Sequence, residues 1–164
     1  MNAFWTYFWP LFAMGIVLGG LFGALALRRR RRLLFGVGGV LMLAGTALWH
    51  GPLGAADRFT TTVERQAATT LADFEMTAVH AKVHRGPLTR RLMMSGPADD
   101  FQRSELVRIM GAIPGVASVS WSAGPGGRPL LLDGTAVAVL GFLAGLLLAY
   151  VIELRRRYNA QWKW

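Results

Sequence analysis

Residues 26–35 read Ala-Leu-Arg-Arg-Arg-Arg-Arg-Leu-Leu-Phe, five consecutive arginines (Arg28, Arg29, Arg30, Arg31 and Arg32) between two apolar runs. Five guanidinium groups cannot lie in hydrocarbon, where one central Arg already costs roughly 3 kcal/mol on insertion scales. They therefore mark the water-facing tip of a helical hairpin. By the positive-inside rule that tip is cytoplasmic, which orients the rest of the chain.

Composition agrees with a membrane protein. Apolar residues make up 53% of the 164, and mean hydropathy is positive. A net charge of +9 would point to nucleic acid in a soluble protein, but its placement argues against that reading. The arginine run supplies five charges, and a second basic cluster, Arg155, Arg156 and Arg157, stands near the C-terminus. Between residues 51 and 133 nine basic residues face eight acidic ones, so that segment is nearly neutral. The basicity therefore reports topology, or contact with anionic lipid at the membrane surface. Cysteine is absent, which excludes disulfides and thiolate metal centres. No basic segment precedes the first apolar run and no A-x-A-like cleavage pattern follows it, so the spacing predicts a retained span rather than a signal peptide.

Three spans follow, at about residues 8–27, 33–49 and 135–152. Phe4, Trp5, Tyr7, Phe8 and Trp9 precede Pro10 and read as an interfacial aromatic belt opening the first helix. Gly15, Gly19 and Gly23 form a double GxxxG on the first span, and Gly141, Gly145 and Ala149 repeat the small-residue spacing on the third. Such stripes let a neighbouring backbone approach closely, either the other span or a helix of a different subunit. Gly36, Gly38, Gly39 and Gly45 on the second span form no GxxxG pair, and Asp133 stands where it could cap the third helix. Arginines after the first and third spans predict an N-out, C-in protein, multi-pass in a bacterial inner membrane. On this reading residues 1–50 are a transmembrane hairpin, 51–130 a periplasmic domain, and 131–164 the third helix with a basic tail.

The intervening domain reads as α+β. Phe59, Val63, Ala67, Leu71 and Phe74 predict an amphipathic helix over about residues 57–73. Val79, Ala81 and Val83 alternate with His80, Lys82 and His84 as a half-buried strand; residues 88–95 are its partner after the turn at Arg85-Gly86-Pro87. Asp99 or Asp100 caps a second helix with the stripe Leu106, Ile109, Met110 and Ile113. A third strand covers 116–122, and a Gly/Pro-rich linker, 123–129, returns to the membrane.

Gly96-Pro97-Ala98-Asp99-Asp100-Phe101-Gln102-Arg103, a strand-ending glycine leading into a helix, and Pro114-Gly115-Val116-Ala117-Ser118-Val119, a Gly-Val-x-x-Val strand entry, give residues 57–123 a pattern that resembles a BON domain. The second strand departs from that family's apolar–Thr–Leu–x–Gly, reading Leu92-Met93-Met94-Ser95-Gly96. The resemblance implies an αββαβ envelope module that binds phospholipid or other envelope surfaces and has no catalytic residues.

Chemistry-bearing motifs are sparse. His80 and His84 share a strand face with Lys82, which repels a cation, so a solvated face or a periplasmic partner face is expected rather than a metal site. His50 beside Trp49 reads as an interfacial histidine. The spans hold no ionisable residue of the kind that marks transport or proton paths, and neither G-x-S-x-G nor a P-loop occurs. The sequence therefore predicts a three-span α-helical membrane protein with an inserted α+β domain, neither an enzyme nor a nucleic-acid binder and without a cofactor. It would serve as a non-catalytic accessory subunit of a larger inner-membrane complex, respiratory or photosynthetic in kind, with membrane lipids and other integral-membrane subunits as partners. The alternative is a free-standing envelope sensor or phospholipid-binding protein.

Overall fold

The computed structural model describes residues 2–29, 31–122 and 127–161, so Arg30, most of the Gly/Pro linker and the Lys163 end of the tail lie outside the described residues. The chain is mostly helical, with three long apolar helices and a small three-stranded sheet, compatible with a helical membrane protein carrying a small α+β insert. Helix α1 covers Ala3–Arg29, α2 Leu33–His50, α3 Ala55–Asp73, α4 Asp100–Gly111 and α5 Leu130–Gln161. Strands β1 (His80–Arg85), β2 (Leu88–Ser95) and β3 (Ser118–Ser120) form the sheet. Helices α1, α2 and α5 are each long and apolar enough to cross a membrane. The chain divides into two compact units: the residues up to Tyr7 with Gly54–Asp133, and Phe8–Leu53 with Gly134–Trp164.

In the α+β unit the sheet order is β1-β2-β3. A hairpin joins β1 and β2 antiparallel, and α4 carries the chain over to place β3 parallel to β2. Val79, Val83, Leu92 and Met94 are buried, as are Phe59, Val63, Ala67 and Leu71 of α3 and Leu106, Met110 and Ile113 at α4. One sheet face therefore carries the core while His80 and Lys82 stay in solvent. Strand β2 does not alternate cleanly because the β1–β2 register shifts between Val83 and Arg85. Thr89 and Leu92 are both buried, and the phase changes between them.

Two expectations for this unit are corrected. Phe74, placed in the α3 stripe by its spacing, is the exposed C-cap residue. Here Glu75 at φ +57° starts a Schellman turn, its amide donating to the Ala72 carbonyl and the Met76 amide to that of Leu71. No glycine announces that turn. Strand β3 is three residues long, because Val116 is held in a turn, its amide donating a hydrogen bond to the Ile113 carbonyl. Of the two candidate caps for α4, Asp99 is the one used, through a full capping box with Gln102 (2.7 and 3.0 Å).

The aromatic N-terminus also differs from expectation. Asn2 accepts the Phe4 amide at 2.9 Å, so α1 begins seven residues before Pro10, which lies inside the helix. Tyr7 is buried edge-on against Phe59, ring centroids 5.7 Å apart, and belongs to the α+β core. Trp5 and Trp9 remain about half exposed, as belt residues would be.

In the unit of long helices, α1 and α5 run parallel and the hairpin partner α2 runs antiparallel to α1. Gly15 lies against Ala138 and Phe142, and Gly23 against Leu146 and Ala149, so both helices advance in the same direction. Gly38 lies against Phe22 and Gly45 against Met14, which fixes the reverse sense of α2. Val17, Leu21, Val40, Leu43, Leu140 and Leu147 are exposed around the outside, the surface of a bundle solvated by hydrocarbon. Helix α5 begins at Leu130, five residues before the expected span. Asp133 therefore lies in its first turn rather than at the cap, a position the helix dipole still favours.

Candidate functional site

The small-residue stripes of α1 and α5 face each other. A Cβ on Gly15 would stand 2.8 Å from the Phe142 amide nitrogen, and one on Gly145 2.7 Å from that of Gly20. A Cβ on Gly19 would collide with the Phe142 carbonyl, and one on Gly141 with that of Phe12. Gly23 rests on Leu146 and Ala149. Of the two roles open to the Gly15–Gly19–Gly23 groove, its occupant is α5 of the same chain. On α2, Gly38 packs on Phe22 and Phe142, whereas Gly36 and Gly39 face open space.

Because α1 and α5 are parallel, their basic ends lie together. Glu153, largely buried, sits between them, 3.9 Å from Arg28 Nε and 3.1 Å from Arg157 Nε. One carboxylate thus bridges two arginine clusters that are more than a hundred residues apart in sequence. Arg29, Arg31, Arg32, Arg155 and Arg156 are exposed, and no ion pair among the described residues involves them. Such a surface at the end of a bundle suits anionic headgroups or an aqueous compartment.

On the sheet, His80 and Lys82 are exposed, and His84 is half-buried with Nδ1 3.0 Å from the Pro87 carbonyl. No group of three His, Cys, Asp or Glu side chains able to hold a metal occurs among the described residues. Beside these side chains, β1 forms an open edge over two shallow hollows. One, about 320 Å³, is floored by Ala68, Leu71 and Val79; the other, about 620 Å³, lies among Glu64, Val83, Arg85 and Met94. Glu64 reaches across from α3, accepting the Val83 amide at 3.0 Å and pairing with Arg85 at 3.2 Å.

Arg90 is the organising residue that the sequence does not reveal. Its Nε donates to the Gly115 carbonyl at 3.0 Å, its Nη1 lies 3.6 Å from Asp133, and its guanidinium stands 5.3 Å above the Phe4 ring. One side chain thereby ties β2 to the first turn of α1, the loop before β3 and the first turn of α5. Only the alternation of β2 could have suggested it, and the register shift obscures that signal. The two glycines of the family-like motifs have clear backbone reasons. Gly96 (φ +133°) lies against the Ala78 carbonyl, and Gly115 (φ +110°) lies under the Phe59 ring. Comparison with protein-family models, with curated proteins and with solved structures yields no match.

Proposed function

We propose that the protein is a non-catalytic accessory subunit of a larger bacterial inner-membrane complex. Residues 51–130 and the N-terminus are periplasmic in this reading, and the arginine-rich ends are cytoplasmic. The observation that carries it is the outer face of α2. The glycine stripes of α1 and α5 are consumed within the chain, but Gly36 and Gly39 stay open beside exposed Val40 and Leu43. Glycine lowers helix propensity without any intramolecular packing there to offset it. A helix of another subunit approaching that face supplies the reason for its presence. The respiratory or photosynthetic setting is argued by analogy with the small subunits such complexes carry.

Replacing both glycines, Gly36→Leu/Gly39→Leu, tests this reading. The variant is expected to insert and to unfold at the parental temperature in detergent, since a Cβ at either position meets nothing within 4 Å among the described residues. On native gels after mild extraction it should migrate alone while the parent migrates with a large complex. Co-migration of the variant with that complex would remove the α2 face as the interface.

A second reading, a free-standing envelope sensor or phospholipid-binding protein, draws on the element order α3-β1-β2-α4-β3 and on the BON-like placement of Gly96 and Gly115. A parent chain that runs as a monomer or homodimer in the same gel favours it.

A further inference from the structure

The edge of β1 is the surface whose chemistry defines its occupant most narrowly. Two hydrogen bonds fix which way the backbone groups point. The Ala117 amide donates to the Arg90 carbonyl, so Arg90 and, by alternation, Leu92 and Met94 turn their backbone groups toward β3. The Val83 amide donates to Glu64 instead of to β2, and Val83 is paired in register with Leu92. In an antiparallel ladder the groups alternate, so Lys82–Met93 and His80–Ser95 are the hydrogen-bonded pairs. The amides and carbonyls of Ala81 and Val83 therefore point away from the sheet, whereas Arg85, beyond the register shift, pairs with Leu88 across the hairpin.

Glu64 Oε1 occupies the position that a carbonyl of a neighbouring strand would take against the Val83 amide. Its anchor is Arg85, whose side chain is 63% exposed, and an ion pair that open contributes little to stability. The plug is therefore weakly held. The side chains along this edge, His80, Lys82, His84 and Arg85, are basic, and Glu64 meets them from α3 through its pair with Arg85. A second copy of β1 would set lysine and arginine against themselves, the arrangement that keeps edge strands apart.

We propose that β1 accepts an extended acidic segment of a partner protein, which adds to the sheet as a fourth strand and displaces Glu64 from the Val83 amide. A carboxylate of the incoming strand takes over Arg85, and its backbone satisfies Ala81 and Val83. This goes beyond the accessory-subunit reading and stands on the sheet alone, whichever helix α2 meets.

The test uses the full chain in detergent with fluorescent octapeptides alternating valine with glutamate or valine with lysine, followed by anisotropy. The acidic peptide should bind and the basic one should not. Ala81→Pro removes an outward amide while sparing the ladder to β2, a change edge strands tolerate, and should weaken binding by about tenfold or more. Glu64→Ala unplugs the Val83 amide and should tighten binding. Lys82→Glu/Arg85→Glu should exchange the peptide preference, which keeps the proposal testable if the proline variant misfolds. Absence of acidic-peptide binding by both parent and Glu64→Ala, or equal binding of the two peptides, overturns the proposal. So does a homodimer abolished by Ala81→Pro, which would make the occupant a second copy of this chain.

Discussion

Gly19→Leu is expected to destabilise the isolated protein by about 3 kcal/mol or more, the upper range for overpacking a tight interior. Its Cβ would fall on the Phe142 carbonyl, and backbone cannot step aside as a flexible side chain could. Three further carbons of leucine then have to be placed between α1 and α5. Relief requires the helices to separate along the whole stripe, exposing Gly15, Gly23, Gly141 and Gly145 together. Gly145→Leu, whose Cβ would strike the Ile16 carbonyl, should give the same loss from the opposite side. A fall in Tm of about 6–12 °C in detergent is the corresponding observable for a chain of this size. An unchanged Tm for both variants would show that α1 and α5 do not approach backbone to backbone. Paired with the α2 variant, the experiment separates packing within the chain from packing against another subunit, since only the former should alter the protein alone.

The second large effect is expected in the α+β unit. Phe59 is buried between the Tyr7 ring and Gly115, whose α-carbon side faces the Phe59 ring edge. Phe59→Ala removes the ring and leaves a void bounded by Tyr7, Val63 and Gly115, at a cost of about 3–5 kcal/mol. Hydrogen exchange at the Leu92 and Met94 amides should then accelerate by about two to four orders of magnitude, because these core strand amides open only with the unit. Exchange at the parental rate would mean that Phe59 is peripheral to this core.

Much of this architecture is legible in the chain because it is written in periodicity and charge. Arg28–Arg32 cannot lie in hydrocarbon, the four-residue glycine spacing can only be one helical stripe, and the Asp99-Asp100 pair marks the start of α4. The parts that escaped the sequence depend on partners distant along the chain. Helix α1 starts at Ala3 because Asn2 caps it and Tyr7 has Phe59 to bury against, neither of which the aromatic run alone discloses. Phe74 fits the spacing of α3, yet Glu75 in a left-handed conformation ends the helix without the usual glycine. Arg90 gathers Phe4, Gly115 and Asp133 from three separate stretches. At the candidate interaction surfaces the sequence supplies residue types, but not which glycines are already occupied. Nor does it say which amides of β1 face outward.

Cysteine labelling from one side of the membrane tests the central claim, that α1 and α5 are parallel spans with both arginine clusters on one side, together with the proposal that Ser122 is periplasmic. The native chain has no cysteine, so single introductions at Arg29, Ser122 and Asn159 each report one place. With an impermeant maleimide on intact spheroplasts, the cysteine replacing Ser122 should react at once, and those replacing Arg29 and Asn159 only after lysis. Reaction of the Arg29 and Asn159 positions from opposite sides would contradict the parallel pairing of α1 and α5, and the account built on it.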